Sequence, residues 1–230
     1  MSRPRLVSDE QILDTVRASV REHGPKVSLD SVAAKLGVTQ PALLKRFGSR
    51  QSIMLAALMP PTEPPWVADL KGGPDSRPIA LQLEELAHRL TTWFGEIVPC
   101  MSALRESGIP HAELIKVMKA PPPFVVALRA ITQWLEHAEQ LGLLEARGVD
   151  LESVAASMIG ALSSRAHLSH LLQRSWTRRK ASDFASDVAT VFARALAPAA
   201  GASRSRAAPA HRSRSASTSK PGRKARNSES

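Results

Sequence analysis

Apolar residues recur along this chain at intervals of three and four, and almost nowhere at alternate positions. Ile12, Leu13, Val16 and Val20 share one face of a helix predicted over about 8–22, with Ser8 or Asp9 as its cap and Gly24-Pro25 as its stop. A second helix is predicted from Ser28, whose hydroxyl can accept from free first-turn amides. Val32, Ala33 and Leu36 turn inward before Gly37 ends it. Thr39 caps a short third helix, where Pro41 is tolerated because first-turn amides have no intrahelical partner, and Phe47-Gly48 closes it. Ser49 caps a fourth over 50–59, which Pro60-Pro61 terminates.

Prolines and glycines then fill PPTEPPWVADLKGGPDSRP, residues 60–78, leaving room only for a short helix over 66–71, so this segment reads as a linker. Beyond it, Leu83, Leu86, Leu90, Trp93, Phe94 and Ile97 mark a helix that Pro99 is expected to end, and a shorter one is expected over about 112–119. Phe124, Leu128, Ile131, Leu135 and Ala138 alternate by four and three, which predicts a helix over about 122–141 with these five inward. Two more are predicted: 150–172, capped by Asp150, and 182–196, with Phe184, Val188, Val191, Phe192 and Ala195 inward.

Tyrosine is absent and the other β-favouring aromatics are scarce, so the fold class is all-α. The expected organisation is an N-terminal domain over 8–59, the linker 60–78, a larger helical domain over 79–198, and a tail over 199–230. That tail has no apolar pattern to offset ordering entropy and is expected to be disordered.

Charge sharpens this picture. Of the net +10, the excess lies at the ends: Lys and Arg outnumber Asp and Glu nine to five over 1–59 and eight to one over 199–230, against fourteen to fifteen between. Basic ends suggest contact with a polyanion. Cys100 is the only cysteine, so this chain alone forms neither an internal disulfide nor a thiolate zinc site. The first residues lack the apolar core of a signal peptide, and no run approaches eighteen uninterrupted apolar residues. A cytoplasmic protein without a membrane partner is expected.

The stretch LGVTQPALLKRFGSR carries the most specific signal. Helix, sharp turn at a glycine, short helix is the helix-turn-helix, in which the first member braces a second pushed into the major groove. Ala33 is small where two helices cross, Gly37 supplies the left-handed conformation, and Val38, Leu43 and Phe47 pin the second helix. Gln40, Ala42, Lys45 and Arg46 are left to face outward.

Taken through ILDTVRASVREHG, VSLDSVAAKLGVTQPALLKRF and GSRQSIMLAAL, the first four helices resemble the tetracycline-repressor (TetR) family of bacterial transcriptional regulators. The resemblance covers about the first quarter of the chain. Two positions depart from the family pattern. Leu44, Lys45 and Arg46 stand where tyrosine, a variable residue and His or Tyr are usual, and Leu29 stands where a second hydroxyl is common. The resemblance implies a homodimer on near-palindromic double-stranded DNA, acting as a repressor, with an unidentified small apolar effector and no cofactor. Ser28, Thr39 and Arg50 would touch phosphate, and Gln40 would read an adenine edge. Pro41 and Ala42 would meet a thymine methyl, and Lys45 and Arg46 would bind phosphate or guanine.

Trp93, Phe94, Met101, Met118, Phe124, Trp134, Met158, His167 and Trp176 form a pool from which an effector pocket would draw, although each is also an ordinary core residue. Small residues in SVAASMIGALSS let another helix approach closely. The resemblance implies that this helix and the last one pair with their twins across a two-fold axis. Two rivals use other features. A metal-dependent helical enzyme would use Glu85 and His88 or the His167/His170 pair, but the second Glu-x-x-His of a di-iron bundle is missing and no metal ligand set is assigned. A non-specific DNA-binding architectural protein would use the basic ends.

Overall fold

Serine and threonine hydroxyls and one aspartate carboxylate start five of the described helices where the sequence places them. In the computed structural model, which describes residues 7–24, 26–117 and 121–198, the regular structure is entirely helical. Ten helices follow in order: α1 (Asp9–His23), α2 (Leu29–Lys35), α3 (Gln40–Phe47), α4 (Arg50–Leu58), α5 (Val67–Leu70), α6 (Ile79–Glu106), α7 (His111–Val117), α8 (Pro123–Gln140), α9 (Leu151–Leu171) and α10 (Ala181–Ala195). Ser8 caps α1 reciprocally: its hydroxyl accepts from the Gln11 amide at 3.1 Å, and its own amide donates to the Gln11 side chain at 2.8 Å. Ser49 accepts from the Ser52 amide at 3.0 Å to start α4, and the Asp150 carboxylate accepts from the Ser153 amide at 2.8 Å to start α9.

The longest helix departs from expectation. Pro99 does not end α6, which continues to Glu106. The proline leaves the Gly95 carbonyl, four residues back, without its helical donor; Gly95 is exposed, so water can take that role. What keeps the helix going is the burial that follows. Cys100, Ala103 and Leu104 enter the apolar cluster built by Ile12, Val16, Val20, Val32, Leu43, Ile53, Met54 and Leu58 of α1–α4. A fully buried leucine stabilises by about 1.5–3 kcal/mol, enough to offset much of a proline's cost. The earlier turns of α6 serve a second cluster, where Leu83, Leu86 and Leu90 meet Ile131 and Leu135 of α8, Met158 and Ile159 of α9, and Ala185 and Ala189 of α10.

The segment read as a linker is a packed strap. Trp66 and Val67 are buried in the second cluster, and Trp66 meets Trp93 edge to face at 5.8 Å between ring centres. The Gln82 side chain is buried on α6. It accepts from the Asp75 amide and donates to the carbonyls of Asp75 and Arg77, at 2.9, 3.1 and 2.7 Å.

Two apolar faces are also shifted from their predicted registers. On α8, Ala127, Ile131, Trp134, Leu135 and Ala138 are buried while Phe124 is exposed. On α10, Ala185 and Ala189 are buried, Phe184, Val188 and Phe192 are partly so, and Val191 and Ala195 are exposed. Small alanines on α10 let its backbone lie close to α6, rotating the larger residues to the flanks. No helix among the described residues is long and apolar enough to cross a membrane. The expected basic tail lies outside the described residues.

Candidate nucleic-acid interface

Gly37 takes φ +65°, the left-handed conformation, and the chain turns so tightly that the Val38 amide donates to the Ala33 carbonyl at 3.0 Å. Ala33 is buried at that crossing. Thr39 then starts α3, its hydroxyl accepting from the Ala42 amide at 3.4 Å, and Ser28 does the same for α2 through the Asp30 amide at 3.2 Å. Leu43 is buried, and Leu36, Val38, Leu44 and Phe47 pack partly buried around it. Leu29, at the position where a second hydroxyl is usual in the resembled family, is an apolar anchor 2% exposed.

With α3 pinned this way, Pro41, Ala42 and Lys45 are exposed and Gln40 is partly so. Lys45 makes no ion pair among the described residues. The Gln40 amide offers a donor and an acceptor together, and the Thr39 and Ser28 hydroxyls stand exposed at the starts of their helices.

Arg46 does not join that face. Its guanidinium forms an ion pair with Asp9 and donates to the Val7 carbonyl at 2.7 Å, with its side chain only 19% exposed. The reason is the Asp9 carboxylate in the first turn of α1, which with the Val7 carbonyl gives the guanidinium charge-assisted acceptors that an extended arginine would lack. Arg50 is also engaged, donating to the Val27 carbonyl at 2.9 Å, but it remains exposed and its planar head has further donors. Neither partnership has a local sequence signal, because each joins residues far apart in the chain.

No protein-family model and no curated protein matches this sequence. Solved structures do match. A TetR transcription regulator from Haloarcula marismortui superposes with a TM-score of 0.59 at 17% identity, over 82% of this chain and 97% of that one. SmeT, the repressor of the Stenotrophomonas maltophilia multidrug efflux pump SmeDEF, matches at 0.55 and 18% identity, over 84% and 92%. A structure solved for the molecular basis of control of antibiotic production by bacterial hormones matches at 0.55 and 21%, over 82% and 97%.

The chain has the TetR-regulator fold.

Within that fold, the residues pooled for an effector pocket do not converge. Trp93, Phe94, Trp134 and Met158 are core filler in the second cluster, and Met101 packs partly buried on the first. Phe124 and Trp176 are 45% and 41% exposed. His167 is exposed, its ring Nδ1 hydrogen-bonded to the Ser163 carbonyl at 2.9 Å. Met118 lies outside the described residues. Open volume meets them only singly: a cleft of about 360 Å³ between α5 and α8, lined by Arg129, Trp134 and His137, and a cavity of about 320 Å³ where α1, α4 and α6 meet, with Trp93 in its lining.

Glu85 and His88 separate as well. Glu85 accepts from both ends of the Arg77 guanidinium, at 2.5 and 3.0 Å, which holds its carboxyl below the usual glutamate range. His88 instead faces Ser186 at 3.2 Å, and that hydroxyl donates to Glu84 at 2.6 Å, tying α10 to α6. His167 and His170 line a shallow groove with Ser102 and Glu106. Among the described residues no three His, Cys, Asp or Glu side chains form a metal-binding group. Burial pushes the Cys100 thiol up, and Arg21 and Arg17 only partly oppose it.

Proposed function

We propose that this protein is a sequence-specific DNA-binding transcriptional regulator, a repressor that acts in the cytoplasm as a homodimer on a near-palindromic operator. The observation that carries the reading is the presentation of α3: one face is buried through Leu43, while Gln40, Pro41, Ala42 and Lys45 line the other. In this reading Gln40 takes an adenine edge, Pro41 and Ala42 meet a thymine methyl, and Lys45 binds phosphate or guanine. Ser28, Thr39 and the free donors of Arg50 fix the register on phosphate. Arg46 positions α3 instead of touching DNA.

Dimerisation through α9 and α10 is supported by what these helices leave uncovered. Ser153, Ala156, Ser157 and Gly160 run exposed along α9, and Leu171 and Val191 are 74% and 64% exposed. Two copies of α3 then sit about one DNA turn apart. An apolar effector releases the operator by binding one of two conformations better than the other.

Selection from a pool of random duplexes tests the reading. Enrichment of a palindrome whose recognition is lost in a folded Gln40→Ala/Lys45→Ala variant supports it. Uniform retention of all sequences favours the architectural alternative instead.

A further inference from the structure

The cavity where α1, α4 and α6 meet divides by chemistry. Its floor and one wall are apolar, formed by Trp93 and Ile97 of α6 and by Met59 and Pro60 after α4. Its polar edge is Arg17 and Arg21, one turn apart on α1, with Glu96 opposite on α6. At about 320 Å³ it falls at the small end of the range of small-molecule sites.

The two arginines are held differently. Arg17 is occupied: it donates to the Ala57 carbonyl at 3.1 Å and to Asp14 at 2.5 Å. Arg21 is not: its nearest carboxylate oxygen, on Glu96, is 3.9 Å away, and both side chains are largely open to solvent. A loosely held guanidinium beside an apolar floor suits an amphipathic anion, whose charge takes the free donors while its body covers the apolar surface. With Arg17 already balanced by Asp14, and Glu96 able to turn outward, one positive charge is left to satisfy. That favours a monoanion, and a flat, forked one matches the guanidinium best.

We propose that this cavity binds a compact apolar monocarboxylate, its hydrocarbon body on Trp93 and Ile97 and its carboxylate replacing Glu96 at Arg21. The ligand also controls the joint. Arg17 ties α1 to the last turn of α4 along the same wall, and α4 begins directly after α3, so a body between the end of α4 and α6 selects one spacing of the two. This regulatory half rests on the DNA-binding reading; the binding half does not.

The test uses the full-length protein and 2-naphthoate, with 2-naphthalenemethanol as the uncharged comparator. Binding is measured by titration calorimetry and located by alkylation of Cys100 with N-ethylmaleimide, since that lone thiol lines the cavity. Naphthoate should bind and slow Cys100 alkylation, and the alcohol should bind at least about tenfold more weakly. Arg21→Gln should weaken naphthoate by about tenfold, Arg21→Lys by less, and Arg129→Gln at the α5–α8 cleft should leave it unchanged, each variant being checked for helicity. No heat and no protection at millimolar naphthoate, equal binding of the alcohol, or an equal loss in Arg129→Gln would overturn the site. On the selected palindrome, naphthoate should change DNA affinity by roughly fivefold or more. Binding without that change overturns the regulatory half alone. Failure to select any duplex counts against the DNA-binding reading and leaves the calorimetric result standing.

Discussion

Arg46, in the last turn of α3, is ion-paired with Asp9 in the first turn of α1, so a cation with the sequence position expected of a DNA contact is a brace between these two helices. Its neighbour Lys45 is the exposed cation of that turn. On the proposed function, adjacent residues of like charge should therefore have separable effects, one on stability and one on DNA binding.

Arg46→Ala removes a partly desolvated pair and a charge-assisted hydrogen bond to the Val7 carbonyl. It should cost about 1–2 kcal/mol and lower Tm by roughly 2–8 °C. Lys45→Ala should move stability by less than about 0.5 kcal/mol while reducing the salt slope of DNA binding by about 1 per subunit. Thermal melts and a salt titration of duplex affinity separate the two. Equal Tm values for the two variants would show that the brace carries no stability.

Two glycines with similar φ angles should respond differently to a methyl group. Gly37 has φ +65° and open space where a Cβ would stand, so Gly37→Ala should cost only the left-handed backbone strain, about 1–2 kcal/mol. Gly73 has φ +75°, and a Cβ there would collide with the His137 ring. Gly73→Ala should therefore cost more, and His137→Ala should recover part of the excess. His137→Ala should add independently to Gly37→Ala, so the two double-mutant cycles measured by denaturant unfolding read the difference.

The C-terminal half of the strap over 60–78 is tied to α6 by the buried Gln82 side chain. Gln82→Ala leaves the Asp75 amide and the Asp75 and Arg77 carbonyls without their partner, at a cost of roughly 1–3 kcal/mol where water cannot reach them. Tryptic cleavage after Lys71 should accelerate in the variant well before global unfolding. Unchanged cleavage would mean the strap is held by Trp66 and Val67 instead.

Which features were legible in the sequence follows from the range of the interactions that fix them. The caps at Ser8, Ser28, Thr39, Ser49 and Asp150 were readable because each is a side chain bonding an amide two or three residues on. The turn at Gly37 was readable because its conformation belongs to one residue. Pro99 misled because a local rule against proline is outweighed by distant burial of Cys100, Ala103 and Leu104. Phe124 and Val191 misled because period alone marks a stripe without saying which edge the neighbouring helix covers. The α3 face was visible apart from Arg46, whose partner Asp9 comes from α1. The cavity at the joint was invisible, since its lining is drawn from three helices and a proline-rich segment.

The Asp150 cap makes a pH-dependent prediction. Its carboxylate accepts from the backbone amide and the hydroxyl of Ser153, which holds the carboxyl below the ordinary aspartate range in the folded protein. A carboxyl with a depressed folded-state value stabilises the fold at pH above its unfolded value, about 3.9, and loses that contribution as the pH falls through the folded value. Asp150→Ala should therefore lower Tm at neutral pH, with the gap from wild type closing as the pH drops below about 4. Asp150→Asn keeps an acceptor for the Ser153 amide and so should retain most of the cap, but without the charge its deficit should share that acid-side dependence. A gap for Asp150→Ala that stays constant from neutral pH down to acid would mean that the carboxylate's charge contributes nothing to starting α9.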